Sequence, residues 1–183
     1  MKKRIVLAVL GICLAMSSMF ALSACGKSDE DLIRDALKSD FDRMKAADIE
    51  GMPELASGIS GLEAYGIDAN EFLKAWLGGM DYTLGAVKID DKKATVEASI
   101  TAKQLGPAMN SLMEGDIDAS EFSGLSLSEQ EEKFSELIYA ALDKQTPSTH
   151  SVTLSFTLVG NTWEADAINT EIYIDVFIGE LGQ

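Results

Sequence analysis

His150 is the only imidazole in the chain, so any Ser-His-Asp or Cys-His catalytic arrangement has to be built on it. It stands at the entrance to a strand in a Ser/Thr-rich segment, where Ser148 and Ser151 beside it mark no nucleophile. A transition metal needs clustered His and Cys, and one histidine with two cysteines, Cys13 and Cys25, supplies no cluster. Calcium is the better question, because acids are plentiful. Asp116-Ile-Asp118-Ala-Ser120 has the first, third and fifth ligands of an EF-hand loop, but Glu121 and Leu127 replace its obligatory Gly and Glu. That segment reads as a solvated turn or helix start. Paired carboxylates could serve a hydrolase, yet nothing marks any pair as buried. Gly78-Gly79 ends a helix instead of opening one, which is a C-cap and no phosphate cradle. Phe72, Trp76, Tyr82 and Trp163 could line a pocket, or simply pack the core. The side chains predict no catalytic constellation, no metal site and no cofactor.

Cys25 carries different chemistry. A basic start (Lys2, Lys3, Arg4) and an apolar run from Ile5 to Ala21 lead to small residues before a cut, the order found in a signal peptide. The run falls short of the roughly 20 residues that a spanning helix needs. Leu22-Ser23-Ala24-Cys25 resembles the lipobox, the processing signal of bacterial lipoproteins. The resemblance implies a diacylglycerol on the Cys25 thiol and cleavage between Ala24 and Cys25. Each buried methylene contributes about 0.8 kcal/mol, and two chains suffice for stable anchoring where one does not. The expected organisation is a signal peptide over 1–24, the lipidated Cys and a short tether over 25–28, and an extracytoplasmic domain over 29–183. That domain would sit at the cell membrane, on the periplasmic side where an outer membrane exists.

Removal of residues 1–24 leaves 159, the size of one domain. No disulfide can form in the mature chain, because Cys13 departs with the signal and Cys25 is acylated. The leader also takes three basic residues. Twelve Lys and Arg then face 30 acids, a formal charge of −18. Such a balance argues against nucleic acid, whose backbone demands Lys and Arg, and against a domain face lying on an anionic bilayer. Solubility is the plain use of that charge, with capture of a cation or a basic partner as the alternative.

The elements can be read in order. Ser28 caps a helix from about Asp29 to Ala47, with Ile33, Leu37, Phe41 and Met44 as its apolar stripe. Pro53, Gly58 and Gly61 break the next stretch into a loop holding a short helix, Glu54 to Ser57. Asp68, with Glu71 three residues on, starts a helix that buries Phe72, Leu73, Trp76 and Leu77. The period then becomes two. Met80–Ile89 and Ala94–Ala102 flank the turn Asp90-Asp91-Lys92-Lys93, and Thr95, Glu97, Ser99 and Thr101 face water. A weakly patterned stretch holds a helix over Pro107–Met113. Ser128, with Glu131 at N3, starts the next helix, whose stripe is Phe134, Leu137, Ile138, Ala141 and Leu142. A second hairpin places Val152, Leu154, Phe156 and Leu158 inward, turns at Gly160-Asn161 and returns through Trp163. Thr170–Leu181 fits both periods, and Asn169 or Thr170 as N-cap favours helix. Ile67-Asp-Ala-Asn-Glu-Phe72 is echoed by Ile117-Asp-Ala-Ser-Glu-Phe122, which is either a duplicated unit or, preferably, two similar helix starts.

This order resembles a broad group of bacterial lipoproteins whose domain is cystatin-like or nuclear-transport-factor-2-like. The matching features are the lipobox at Cys25, the strand pair around Asp90-Asp91, and the phrase from Val152 through Trp163 to Asp166. The resemblance implies an α+β fold with a helical C-terminal segment, and it carries over no functional residue beyond Cys25. The stretch 103–127 departs from the pattern and leaves the link between the hairpins open. The expected molecule is one α+β domain with helices on one face of an antiparallel sheet of about four strands in two hairpins. Its expected role is a non-catalytic binding or interaction module at the cell envelope. The expected partners are the membrane, through the lipid on Cys25, and an envelope protein or a small molecule. A small-ligand receptor using a pocket on the concave side of the sheet, lined by Phe72, Trp76, Tyr82 and Trp163, is the alternative. A hydrolase built from acids comes third.

Overall fold

Alternation at strand period in two separate segments dictates two hairpins, and these join into one sheet. The structure, a computed structural model, describes residues 26–114 and 122–180. Strands β1 (Asp81–Asp90), β2 (Lys93–Ala102), β3 (Ser148–Val159) and β4 (Thr162–Ala165) form an antiparallel sheet in the order β1-β2-β3-β4. The fold is α+β in one domain. Sequence alternation leaves open how the hairpins meet. They meet along β2 and β3, which pair from Lys93↔Thr157 to Ala102↔Ser148 without a break. A four-stranded sheet gives each hairpin the partner that an isolated one lacks in water.

Six helices are described, beginning with α1 (Asp29–Lys45) and α2 (Pro53–Ile59), the latter prolonged by a 3-10 turn at Ser60–Tyr65. They continue with α3 (Ala69–Leu77), α4 (Leu105–Glu114), α5 (Leu127–Asp143) and α6 (Ile168–Tyr173), the last running into a π-turn at Ile174–Ile178. Several starts have a local cause. The Ser28 hydroxyl accepts from the Asp31 amide, and Asp29, Glu30 and Asp31 occupy the first turn, where the helix dipole favours acids. The Asp68 carboxylate accepts from the Glu71 amide. The loop helix is longer than Glu54–Ser57, because Pro53 is itself accommodated near the start of the first turn.

Two caps fall elsewhere than the sequence reading places them. Helix α5 begins after Ser126, whose side chain and Glu129 form a reciprocal capping box. The Ser-x-x-Glu pattern occurs twice in this stretch, and the earlier copy starts the helix, leaving Leu127 exposed in the first turn. Helix α6 starts at Ile168 without a side-chain cap. Asn169, expected as a cap, is buried, and its amide grips both the N–H and the C=O of Ser155 at 2.9 Å. It stands in for the next residue of β4 just where that strand ends.

The helices cover one face of the sheet. Ala94, Val96, Ala98, Ile100 and Ala102 of β2 and Leu154 and Phe156 of β3 point into the core they share with Phe41, Leu73, Trp76, Leu142 and Phe177. Val152, Leu158, Phe134 and Leu137 pack against that core but remain partly exposed. The C-terminal segment is helical, as expected, although the cap that favours that reading is not used. Its buried positions are Tyr173, Val176, Phe177 and Ile178. The widened turn, closed by the Gly179 amide on the Ile174 carbonyl, brings Ile178 inward beside Phe177. Gly106 of α4 lets this segment come close, since a Cβ there would lie 2.4 Å from the Glu180 carbonyl oxygen.

Candidate functional site

Strand period puts every second residue on the face that no helix covers. In β2 these are Lys93, Thr95, Glu97, Ser99 and Thr101, and in β3 Thr149, Ser151, Thr153, Ser155 and Thr157. The register aligns them in rows across the strands. Thr83, Ser99 and Ser151 stand side by side, as do Lys93, Thr157 and Glu164. Neighbours in a row are about 4.8 Å apart and successive rows about 7 Å apart. The result is a hydroxyl surface on a strongly acidic protein. Every Ser or Thr hydroxyl can both donate and accept, so such a face can match a polar chain of either polarity.

Most of the charge on this surface is paired, including that of Glu97 in the middle of β2. Lys88 donates to Glu97 at 2.7 Å, and this bond holds the Glu97 carboxyl below its ordinary range. Lys93 lies between the Thr157 hydroxyl and Asp166, 3.6 Å from the latter. The Thr101 and Thr149 hydroxyls hydrogen-bond each other at 2.8 Å.

The four aromatic candidates are used differently. Phe72, Trp76 and Trp163 are buried, and Tyr82 is only half-buried at the rim. Phe72 meets Trp76, Trp76 meets Phe177, Phe177 meets Tyr173, and Tyr173 meets Phe41, which lies 4.9 Å from Tyr82. Three of the four thus belong to one stack of rings through the core, which Trp163 does not join. Both indole N–H groups, of Trp76 and Trp163, are buried without an acceptor among the described residues. The Tyr82 hydroxyl donates to Asp42 of α1 at 2.6 Å. Burial first, then that bond, pushes it up to about 12. Lys38 completes the polar seam by donating to Asp42, and Lys45 pairs with Asp81 at 2.8 Å. Further along, the Arg34 guanidinium reaches the Gly85 carbonyl at 2.9 Å, where β1 bulges between Leu84 and Val87. This seam fixes α1 along the edge strand, and nothing in its residue spacing announces it.

Two features bear on catalysis. His150 is hydrogen-bonded to the Ser148 hydroxyl at 2.8 Å, both side chains lying on the same face of β3. Among the described residues no carboxylate bonds the other nitrogen of that ring. Asp40 is, among the described residues, the one acid with a strongly raised affinity for its proton. Burial pushes it up to about 6 against the pull of Arg43, and its charge adds to the burial that raises the Tyr173 hydroxyl. Among the described residues no group of three or more His, Cys, Asp or Glu is placed to hold a metal ion. Cys25, Ala24 and the acidic run at Asp116, Asp118 and Ser120 lie outside the described residues. So do Ile117–Glu121 of the internal echo, of which only Phe122 is described. No described helix is long and apolar enough to cross a membrane.

Fold and surface together define a small α+β domain with one packed and one open sheet face. No protein-family model matches the chain, and no curated protein matches it. Among solved structures it is similar to ycdA of Bacillus subtilis subsp. subtilis str. 168, a provisionally assigned lipoprotein, at 16% identity and a TM-score of 0.45. The match covers 94% of this chain and 57% of that one, so the chain spans under two thirds of the length of its neighbour.

Proposed function

We propose that the protein is a lipid-anchored module at the outer face of the cytoplasmic membrane that binds a polar partner through the open face of its sheet, without catalysis. The anchor rests on the sequence. A basic start, a short apolar run and Leu22-Ser23-Ala24-Cys25 come in processing order, and Ser28 caps a folded helix three residues later. The cystatin-like or nuclear-transport-factor-2-like reading is supported by a long helix laid along an antiparallel sheet. The single observation that carries the binding role is the asymmetry of that sheet, with hydrophobic residues closed under helices on one side and rows of hydroxyls open on the other.

Each half has its own test. Cys25→Ala should move the protein from the membrane fraction to the soluble one or leave the precursor uncut, and membrane attachment that persists without acylation removes the anchor. For the surface, a photoreactive residue at Thr153 should give a discrete adduct in intact cells, where the same residue at Glu132 on α5 gives none. Equal or absent adducts at both positions would count against the open face.

A second reading, a small acceptor-bearing ligand held between sheet and helices, is favoured by the two unpartnered indoles, Trp76 and Trp163. Native mass spectrometry of protein purified from membranes decides it. A mass equal to the lipidated chain alone excludes such a ligand.

A further inference from the structure

We propose that the two hairpin tips are the membrane-facing end of the domain and rest on the lipid headgroups. The inference depends on the lipid at Cys25, and it adds an orientation to that reading. Helix α1 and strand β1 run in opposite directions. Lys45 is beside Asp81, Asp42 beside Tyr82, and Arg34 beside Gly85. The start of α1 therefore points the same way as the turn at Asp91-Lys92. The β3–β4 tip lies there too, because the Leu158 amide donates to the Lys92 carbonyl at 2.9 Å.

The lengths agree. From Arg34 back to Asp29 the helix rises about 8 Å, whereas β1 runs about 17 Å from Gly85 to Asp90. The tips therefore extend roughly 9 Å beyond the helix start. Three peptide units separate Ser28 from Cys25 and reach at most about 11 Å. The tether is also held short, since Lys27 is paired with Asp35 on α1. A lipid entering the bilayer at Cys25 thus brings the tips to the level of the headgroups.

The tips suit that position. Ile89 and Val159 are among the few large apolar side chains left exposed, at 37% and 52%. The β1–β2 turn exposes Lys92 beside Asp90 and Asp91, while Lys88 and Lys93 are paired with Glu97 and Asp166.

The experiment uses the mature lipidated protein in vesicles of phosphatidylethanolamine and phosphatidylglycerol that contain a headgroup spin label. The acylated Cys25 leaves no free thiol, so an introduced cysteine carries a single fluorophore. Lys92→Cys and Asn161→Cys report the two tips, and Thr149→Cys reports the opposite end of the sheet. Quenching several-fold stronger at both tips than at Thr149 is the expected result. Equal quenching at the two ends, or stronger quenching at Thr149, in protein that floats with the vesicles overturns the orientation alone. Failure to float overturns the anchor, and the orientation with it.

Discussion

Asn169 shows how one side chain can close a strand edge. β4 stops at Ala165, and without Asn169 the part-buried Ser155 amide would lose its acceptor. An unsatisfied buried donor costs about 1–3 kcal/mol. Asn169→Ala should therefore lower the unfolding free energy by about 2 kcal/mol, measured by urea denaturation with an unchanged m-value. Asn169→Asp should be worse at neutral pH, because its second oxygen would face the Ser155 carbonyl. Asp40 makes the opposite contribution. Its carboxyl is raised from 3.8 to about 6, chiefly by burial, so the folded state holds the proton more tightly than the unfolded chain does. The penalty is absent below about pH 4, grows between pH 4 and 6, and is complete above that. It amounts to at most about 3 kcal/mol, nearer 1–2 after solvent screening. Asp40→Asn should accordingly stabilise the protein at pH 7 by that amount and leave it unchanged at pH 3.5. Asp42, Asp81 and Glu97, all lowered by lysine partners, act in the other direction and lose their contribution as the pH falls. Only the difference between variant and parent isolates Asp40. A gain of equal size at both pH values would show that packing, not charge, is responsible.

At the scale of elements, what the sequence made legible depended on the range of the signal. Ser28 and Asp68 cap their helices where local spacing places them, and the hairpin turns fall where Asp91-Lys92 and Gly160-Asn161 interrupt the alternation. Where two local signals compete, spacing cannot choose. Ser126-x-x-Glu129 and Ser128-x-x-Glu131 are equivalent as patterns, and only the structure shows the box closed at Ser126. Ser126→Ala should therefore cost about 1 kcal/mol, while Ser128→Ala should fall within a few tenths. Equal losses in thermal unfolding would mean that the helix frays back to the second cap in solution. The C-terminal segment is helical as expected, but spacing misplaces its start for another reason. A π-turn obeys neither period, and Asn169, read as a cap, is committed to a strand 14 residues earlier. Long-range partners of this kind leave no trace in spacing. The same holds for the aromatic set, where Trp76 and Tyr82 are linked only through Phe41, Tyr173 and Phe177.

For the whole molecule, alternation specified which faces of the strands are wet, but not that β2 lies beside β3. That pairing closes across the intervening α4 and α5, a contact between residues some 50 apart that no window of sequence can contain. The open hydroxyl face is a consequence of that pairing, which is why Thr95, Glu97, Ser99 and Thr101 were legible as solvent-facing while the rows across the sheet were not. Net charge acts on the same scale. Most ion pairs among the described residues are about half exposed or more on both sides, and such pairs contribute about 0.2–1 kcal/mol each, reduced by salt. Against them stands a chain of formal charge −15 with a single domain in which to hold most of it. Charges of like sign spread over a small globule repel through distances comparable with the Debye length, about 10 Å at 0.1 M salt and about 30 Å at 0.01 M. Raising the salt screens many repulsions and few attractions, so repulsion should decide the sign. The melting temperature of the soluble domain should rise between 10 and 300 mM sodium chloride (two settings about fivefold apart in screening length). A fall over that interval would mean that the paired lysines, above all Lys45 with Asp81 and Lys88 with Glu97, hold the fold together more strongly than their exposure allows.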